Sequence, residues 1–93
     1  MGYIFEWDPR KALSNAHKHG VSFDEATTVF GDPHAMLTPD PDHSAHEVRY
    51  LLLGLSTRHR LLVVAYAERP PRTRLISARR ATRHERKQYE EES

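Results

Sequence analysis

The rhythm of apolar and polar positions changes several times along the chain, and each change predicts an element. Tyr3 to Trp7 alternates aromatic with other residues, the two-residue period of a short strand. Asp8-Pro9 then reads as a helix start, with the Asp side chain capping free amides and Pro at a position whose N–H has no intrahelical partner. That helix is expected to reach about His19, where Gly20 can adopt the left-handed stop conformation. Its apolar face is thin, formed by Ala12, Leu13 and Ala16. Ser22 and Glu25, three apart, form a capping box for a second helix, and Phe23, Ala26, Val29 and Phe30 fall on one face of it. Gly31-Asp32-Pro33 ends this helix, residues 35–38 can form a short strand, and "PDPDHSAHE" is a loop by its Pro and Asp content. Three strands follow at residues 47–56, 61–69 and 74–81, and their short links imply antiparallel neighbours. Thr82 and Glu85 repeat the capping-box pattern and open a last helix over residues 83–91. The order is strand, two helices, three or four antiparallel strands and a helix, which is an α+β pattern.

Length and composition narrow the picture. Ninety-three residues support one domain, taken as residues 1–93, and neither a repeat nor a linker divides it. Cysteine is absent, so neither a disulfide framework nor a thiolate metal site is available. The first residues lack the basic start and long apolar centre of a signal peptide, and the longest apolar run, residues 61–67, is too short to span a bilayer. A soluble, cytoplasmic protein with no membrane partner is expected.

A net charge of +1 conceals a segregation. Residues 1–57 hold four basic side chains against eight acidic ones, whereas residues 58–87 hold ten against two. Eleven of the fourteen basic residues are Arg, whose planar fork suits phosphate and carboxylate better than a Lys point charge does. Such a half-chain predicts a surface for phosphate or for an acidic partner. By simple alternation, Leu75, Ser77 and Arg79 share one face of their strand, and Arg74, Ile76, Ala78 and Arg80 the other. Arg49 starts one strand and Arg69 ends another, so arginines can converge on the sheet. On the last helix Glu85 and Tyr89 stand four apart on one face. Cleavage of RNA without a metal needs these parts: a base, an acid, and cations for a transition state in which the 2′-hydroxyl attacks its neighbouring phosphate. The plainer alternatives are that Glu85 caps its helix and that Tyr89 packs on the sheet.

The seven His residues do not predict a metal site. His17 and His19 point about 200° apart on a helix, and nothing fixes His43 and His46 in the acidic loop. Structural zinc needs four ligands at recognisable spacing. His19 is instead a candidate proton carrier, because the helix C-terminus favours its charged form. No Gly-rich phosphate loop follows a strand, so no nucleotide cofactor is expected and none of another kind is implied.

Two stretches carry a resemblance. "FEWDPRKALSNAHKHGVSFDEA" contains Trp7, Asp8, Lys11, Asn15, Lys18, His19, Gly20, Val21 and Phe23 in the spacing W-D-x-x-K-x-x-x-N-x-x-K-H-G-V-x-F, and "RLISARRATRHERKQYE" contains Arg74, Ile76, Ser77, Ala78, Arg79, Ala81, Glu85 and Tyr89 in R-x-I-S-A-R-x-A-x-x-x-E-x-x-x-Y. Together they resemble the BrnT-type toxins of bacterial type II toxin–antitoxin systems, over nearly the whole chain and least distinctively at residues 32–46. The resemblance implies a RelE-like fold and an RNA-cleaving activity that halts translation. It implies neutralisation by a BrnA-type antitoxin, possible toxin–antitoxin hetero-oligomers, and contact with operator DNA only through that antitoxin. Carried over, it makes Arg49, Arg74, Arg79, Glu85 and Tyr89 the RNA-facing set, with Lys18 and His19 as second candidates. Two rivals remain: a nucleic-acid-binding module without chemistry, and a subunit whose basic surface serves only an acidic partner. Few aromatics interleave with the arginines, which weakens a base-stacking platform.

Overall fold

The structure is a computed structural model and describes residues 2–41 and 47–92. In chain order it contains β1 (Ile4–Glu6), α1 (Pro9–His19), α2 (Phe23–Thr28) followed by a 3-10 turn (Val29–Gly31), β2 (Met36–Pro39), β3 (Val48–Leu55), β4 (Leu61–Arg69), β5 (Arg72–Arg80) and α3 (Arg83–Glu92). The strands form one sheet in the order β1-β5-β4-β3-β2. Three of its four pairings are antiparallel, and β1 runs parallel to β5 at the edge. The α+β order expected from the sequence is the one observed, with β1 added to the sheet to make it mixed. Of the loop expected at residues 39–47, Pro39 belongs to β2 and the Asp40 N–H donates to the Arg49 carbonyl at 3.0 Å, while residues 42–46, His43 and His46 among them, lie outside the described residues. No described helix is long and apolar enough to cross a membrane.

The local signals act as the sequence suggests. Asp8 accepts from the Arg10 N–H at 2.8 Å, and Gly20 closes α1 at φ 69°, the left-handed region where glycine has no Cβ to clash. The inward face of α1 is different from the expected one. Leu13 is 74% exposed and Ala16 also faces solvent, whereas Ala12 packs on the core and Asn15 is buried. β1 pairs only with Arg72, Thr73 and Arg74, which leaves the rest of the β5 edge without a strand. Asn15 fills that place. Its Oδ1 accepts from the Ala78 N–H at 3.0 Å, and its Nδ2 donates to the Ala78 carbonyl at 2.8 Å and the Val21 carbonyl at 2.9 Å. One side chain thus satisfies both backbone groups of an edge residue, which burial would otherwise penalise.

Two layers flank the sheet. On one face Val21, Phe23, Ala26 and Val29 pack against Leu52, Leu62, Val64, Tyr66, Leu75 and Ala78. On the other, a smaller cluster of Leu53, Leu61 and Val63 is covered in part by Tyr89 of α3. α3 has no fully buried residue of its own, and its Tyr89 packs at the Leu53–Leu61–Val63 end of this second face.

Strict alternation along β5 fails at one place. Tyr66 opposes Leu75 while Ala65 opposes Ser77, so Ile76 is an extra residue, a β-bulge. Beyond it the side chains change face. Leu75 and Ala78 both enter the main core, and Arg74 and Arg79, expected on opposite faces, lie on the same one.

Candidate active site on the open face of the sheet

The register sets out the open face row by row. Glu6, Arg74, Ala67 and Arg49 are aligned across β1, β5, β4 and β3. One step towards the β4–β5 turn, Arg72 and Arg69 oppose each other across the two-residue Pro70-Pro71 link. Two glutamates stand among these four arginines. Glu6 lies 3.6 Å from Arg74, 3.8 Å from Arg69 and 3.9 Å from Arg72, and Glu47 lies 3.0 Å from Arg49 and 4.0 Å from Arg69. Among the described residues, Arg49 alone of the four donates a side-chain hydrogen bond, through Nε to Glu47. The guanidinium donors of Arg69, Arg72 and Arg74 are therefore uncommitted, at separations where charge attracts but no hydrogen bond forms. Ala67 in this row and Ala65 and Ser77 in the next are small side chains that leave the floor low.

The strand–helix junction is built otherwise. Arg79 pairs with Val63, two rows from Ala67, or about 13 Å along the strand. Its two terminal nitrogens donate to the two oxygens of Glu85 at 2.8 and 2.9 Å, a fork-to-fork pair. Glu85 also accepts from the Thr82 N–H at 2.8 Å while Thr82 Oγ1 accepts from the Glu85 N–H at 3.2 Å, a complete capping box. The hydrogen bonds from Arg79 lower the Glu85 carboxyl most, burial opposes them, and the Thr82 amide adds to them, leaving it at about 2. The Arg79 guanidinium is raised in return. Glu85 is thus a firmly ionised anchor.

Tyr89 points its hydroxyl to the far end of the sheet, donating to Asp32 Oδ2 at 2.6 Å. The same oxygen accepts from the Leu55 N–H at 2.8 Å, and Asp32 Oδ1 accepts from the His34 N–H at 2.9 Å. Burial raises the Asp32 carboxyl, and the bonds from Tyr89, Leu55 and His34 outweigh it, so the net shift is downward. Burial, with Asp32 beside it, pushes the Tyr89 phenol up to about 12. Lys18 and His19 lie elsewhere again, on a groove of about 180 Å³ with Lys11, Ser14 and Asn15 of α1 and Ile76 and Ser77 of β5.

The expected residues accordingly fall into four places. Arg49 and Arg74 share a row, Arg79 and Glu85 are paired at the edge of α3, Tyr89 is tied to Asp32, and Lys18 and His19 rim the β5 edge. Glu6, Glu47, Arg69 and Arg72 join the first group by geometry alone. Glu47 and Arg49 stand two apart, as do Arg72 and Arg74, a same-face spacing visible in the sequence. The placement of Glu6 beside them depends on the parallel pairing of β1, which no local signal reports. No cluster of three metal-ligating side chains occurs among the described residues.

Comparison with known proteins bears on the chain as a whole. A family model described as the ribonuclease toxin BrnT of type II toxin–antitoxin systems matches residues 7–85, which include Arg49, Arg69, Arg72, Arg74 and the Arg79–Glu85 fork and begin one residue after Glu6. No curated protein sequence matches the chain. Among solved structures, the 1.1 Å crystal structure of the Brucella abortus ribonuclease toxin BrnT is similar in fold, with a TM-score of 0.66 at 22% identity, over 89% of this chain and 100% of that one. The chain belongs to the BrnT family of ribonuclease toxins of type II toxin–antitoxin systems.

Proposed function

We propose that the protein is a metal-independent endoribonuclease that cleaves RNA and thereby stops translation, holding the reacting phosphate between Arg49 and Arg74. The observation that carries this reading is the row Glu6–Arg74–Ala67–Arg49, with an arginine on either side of a small, buried residue on the sheet face away from the main core. Arginine supplies fixed positive charge where a metal ion would otherwise be needed, aimed at the non-bridging oxygens on which charge develops. Glu47, hydrogen-bonded to Arg49, is the carboxylate placed to take the proton of the 2′-hydroxyl. The 2′ oxygen then bonds to phosphorus, the bond to the 5′ oxygen breaks, and that oxygen takes a proton from solvent. The products carry a 2′,3′-cyclic phosphate and a 5′-hydroxyl.

The remaining expected residues take supporting places in this scheme. Glu85, held at about 2, is too weak a base for proton abstraction at neutral pH and serves to hold Arg79 at the rim. Tyr89 fixes α3 to the sheet through Asp32. Lys18 and His19 guide the strand over the β5 edge. Neutralisation follows if a BrnA-type antitoxin covers the open face with an acidic segment.

Incubation of the purified protein with a bare RNA in EDTA tests the reading. Wild type is expected to leave cyclic phosphate ends, and Arg49→Ala and Arg74→Ala to leave the RNA intact. Folded wild type that binds the RNA and never cuts it would make the chain a binding module.

A further inference from the structure

Beyond the reacting row, the structure holds a group of charges that the proposed chemistry does not use. Arg69 and Arg72 are directly opposed cross-strand partners at the end of the β4–β5 hairpin. Two like charges in that relation repel, and a sheet gains nothing from them. Both are about half exposed, at 52% and 58%, so burial of their stems does not explain them either. Arg74 converges with them on a single point occupied by Glu6, at 3.6 to 3.9 Å and without a hydrogen bond. Counting Arg49 and Glu47, four guanidinium groups face two carboxylates among the described residues, an excess of two positive charges within this group.

We infer that Arg69 and Arg72, gathered about Glu6, form a second anion site that takes a phosphodiester of the RNA flanking the one that is cut. Glu6 marks the centre of the site. A single carboxylate keeps three guanidinium forks converging while satisfying none of their donors. An arriving phosphodiester carries the same charge on oxygens that can accept from them. The site lies one row from Arg49 and Arg74, and continues their line towards the hairpin, so one strand can engage both. The ligand is the backbone of single-stranded RNA, read without regard to base. This inference rests on the reading of the chain as an RNA-cleaving enzyme.

The test uses the full chain with two substrates and one inert probe. The Arg69→Ala/Arg72→Ala double variant is expected to cleave a dinucleotide as wild type does, because a dinucleotide has only the reacting phosphate. On an eight-nucleotide RNA its KM rises about tenfold with kcat kept, as expected when ground-state binding alone is lost. Binding of a 2′-O-methyl octanucleotide weakens equally for different sequences, and the slope of log K against log salt becomes shallower by about one. Glu6→Gln, which removes the resident negative charge, binds the same octanucleotide several-fold more tightly. Equal losses on dinucleotide and octanucleotide would place the two arginines at the reacting centre and overturn the inference, as would an unchanged salt slope. If wild type cleaves neither substrate, the enzymatic reading falls, and the octanucleotide slope still decides whether these arginines hold RNA phosphate.

Discussion

Two glutamates in this molecule each gather arginines, and they do so in opposite ways. Glu25 on α2 is buried, its side chain 3% exposed. It accepts from Arg60 Nε at 2.9 Å, from Arg60 Nη2 and from Ser56 Oγ at 2.7 Å, and Arg60 also donates to the Gly20 carbonyl at 3.0 Å. The Arg60 hydrogen bonds lower its carboxyl against the opposing effect of burial. Glu25 was expected to complete a capping box with Ser22. Ser22 does accept from the Glu25 N–H at 3.0 Å, but the carboxylate is turned inward to Arg60 and leaves the box half made. Glu6 has three arginines and a hydrogen bond to none of them. Identical residue types thus serve the fold in one place, where Arg60 is hydrogen-bonded to a buried carboxylate, and in the other meet a carboxylate by charge alone.

Arg60→Ala breaks the first cluster and should have the largest effect. It leaves Glu25 buried with a single hydroxyl donor, which costs roughly 3–5 kcal/mol of unfolding free energy, read from urea denaturation. A change below about 1 kcal/mol, the range of exposed pairs, would erase the distinction between the clusters. Arg74→Ala breaks the second. Loss of a positioned transition-state donor predicts a fall in kcat of about a hundredfold or more, with unfolding free energy within about 0.5 kcal/mol of wild type, as for surface positions.

The Arg79–Glu85 fork stands between these extremes and sharpens the comparison by pH. Its folded carboxyl sits at about 2 against an ordinary 4.5, so its contribution is complete above about 4.5 and is lost as pH falls towards 2. Glu85→Gln should therefore flatten the acid limb of a stability–pH profile in that window. An unchanged limb would mean that the fork is no stronger than a solvent-exposed pair. Tyr89→Phe is expected to have the smallest effect, the removal of one neutral-to-charged hydrogen bond to Asp32, worth about 1.5–3 kcal/mol. Cleavage by the folded variant distinguishes an anchor from a proton carrier, and loss of cleavage at full stability would return Tyr89 to the reacting centre.

The elements were legible in the sequence where their signals are local. Asp8-Pro9, Gly20 and Thr82 with Glu85 delimit helices by groups that act within four residues, and the observed helices start and stop there. Contacts made at long range were not legible. Nothing near β1 states that it pairs with Arg72–Arg74, so Glu6 could not be placed beside the arginines. The thin apolar stripe on α1 pointed to Leu13 and Ala16, whereas the side chain that docks the helix is polar, because the bare β5 edge needs a donor and an acceptor more than it needs apolar area. The bulge at Ile76 had the widest consequence. Alternation put Arg74 and Arg79 on opposite faces, and one inserted residue, invisible to a two-residue period, returned them to the same face. Arg49 and Arg74 were legible as strand arginines, and their shared row was not.

The most direct measurement compares Arg60→Ala with Arg74→Ala in one cleavage assay on bare RNA, with rates referred to the folded fraction at a temperature where both variants are native. The account predicts that Arg60→Ala cuts within about twofold of wild type while Arg74→Ala is slower by about a hundredfold or more. Equal losses in the two, or full activity in Arg74→Ala, would contradict the division between arginines that hold the fold and arginines that hold the RNA.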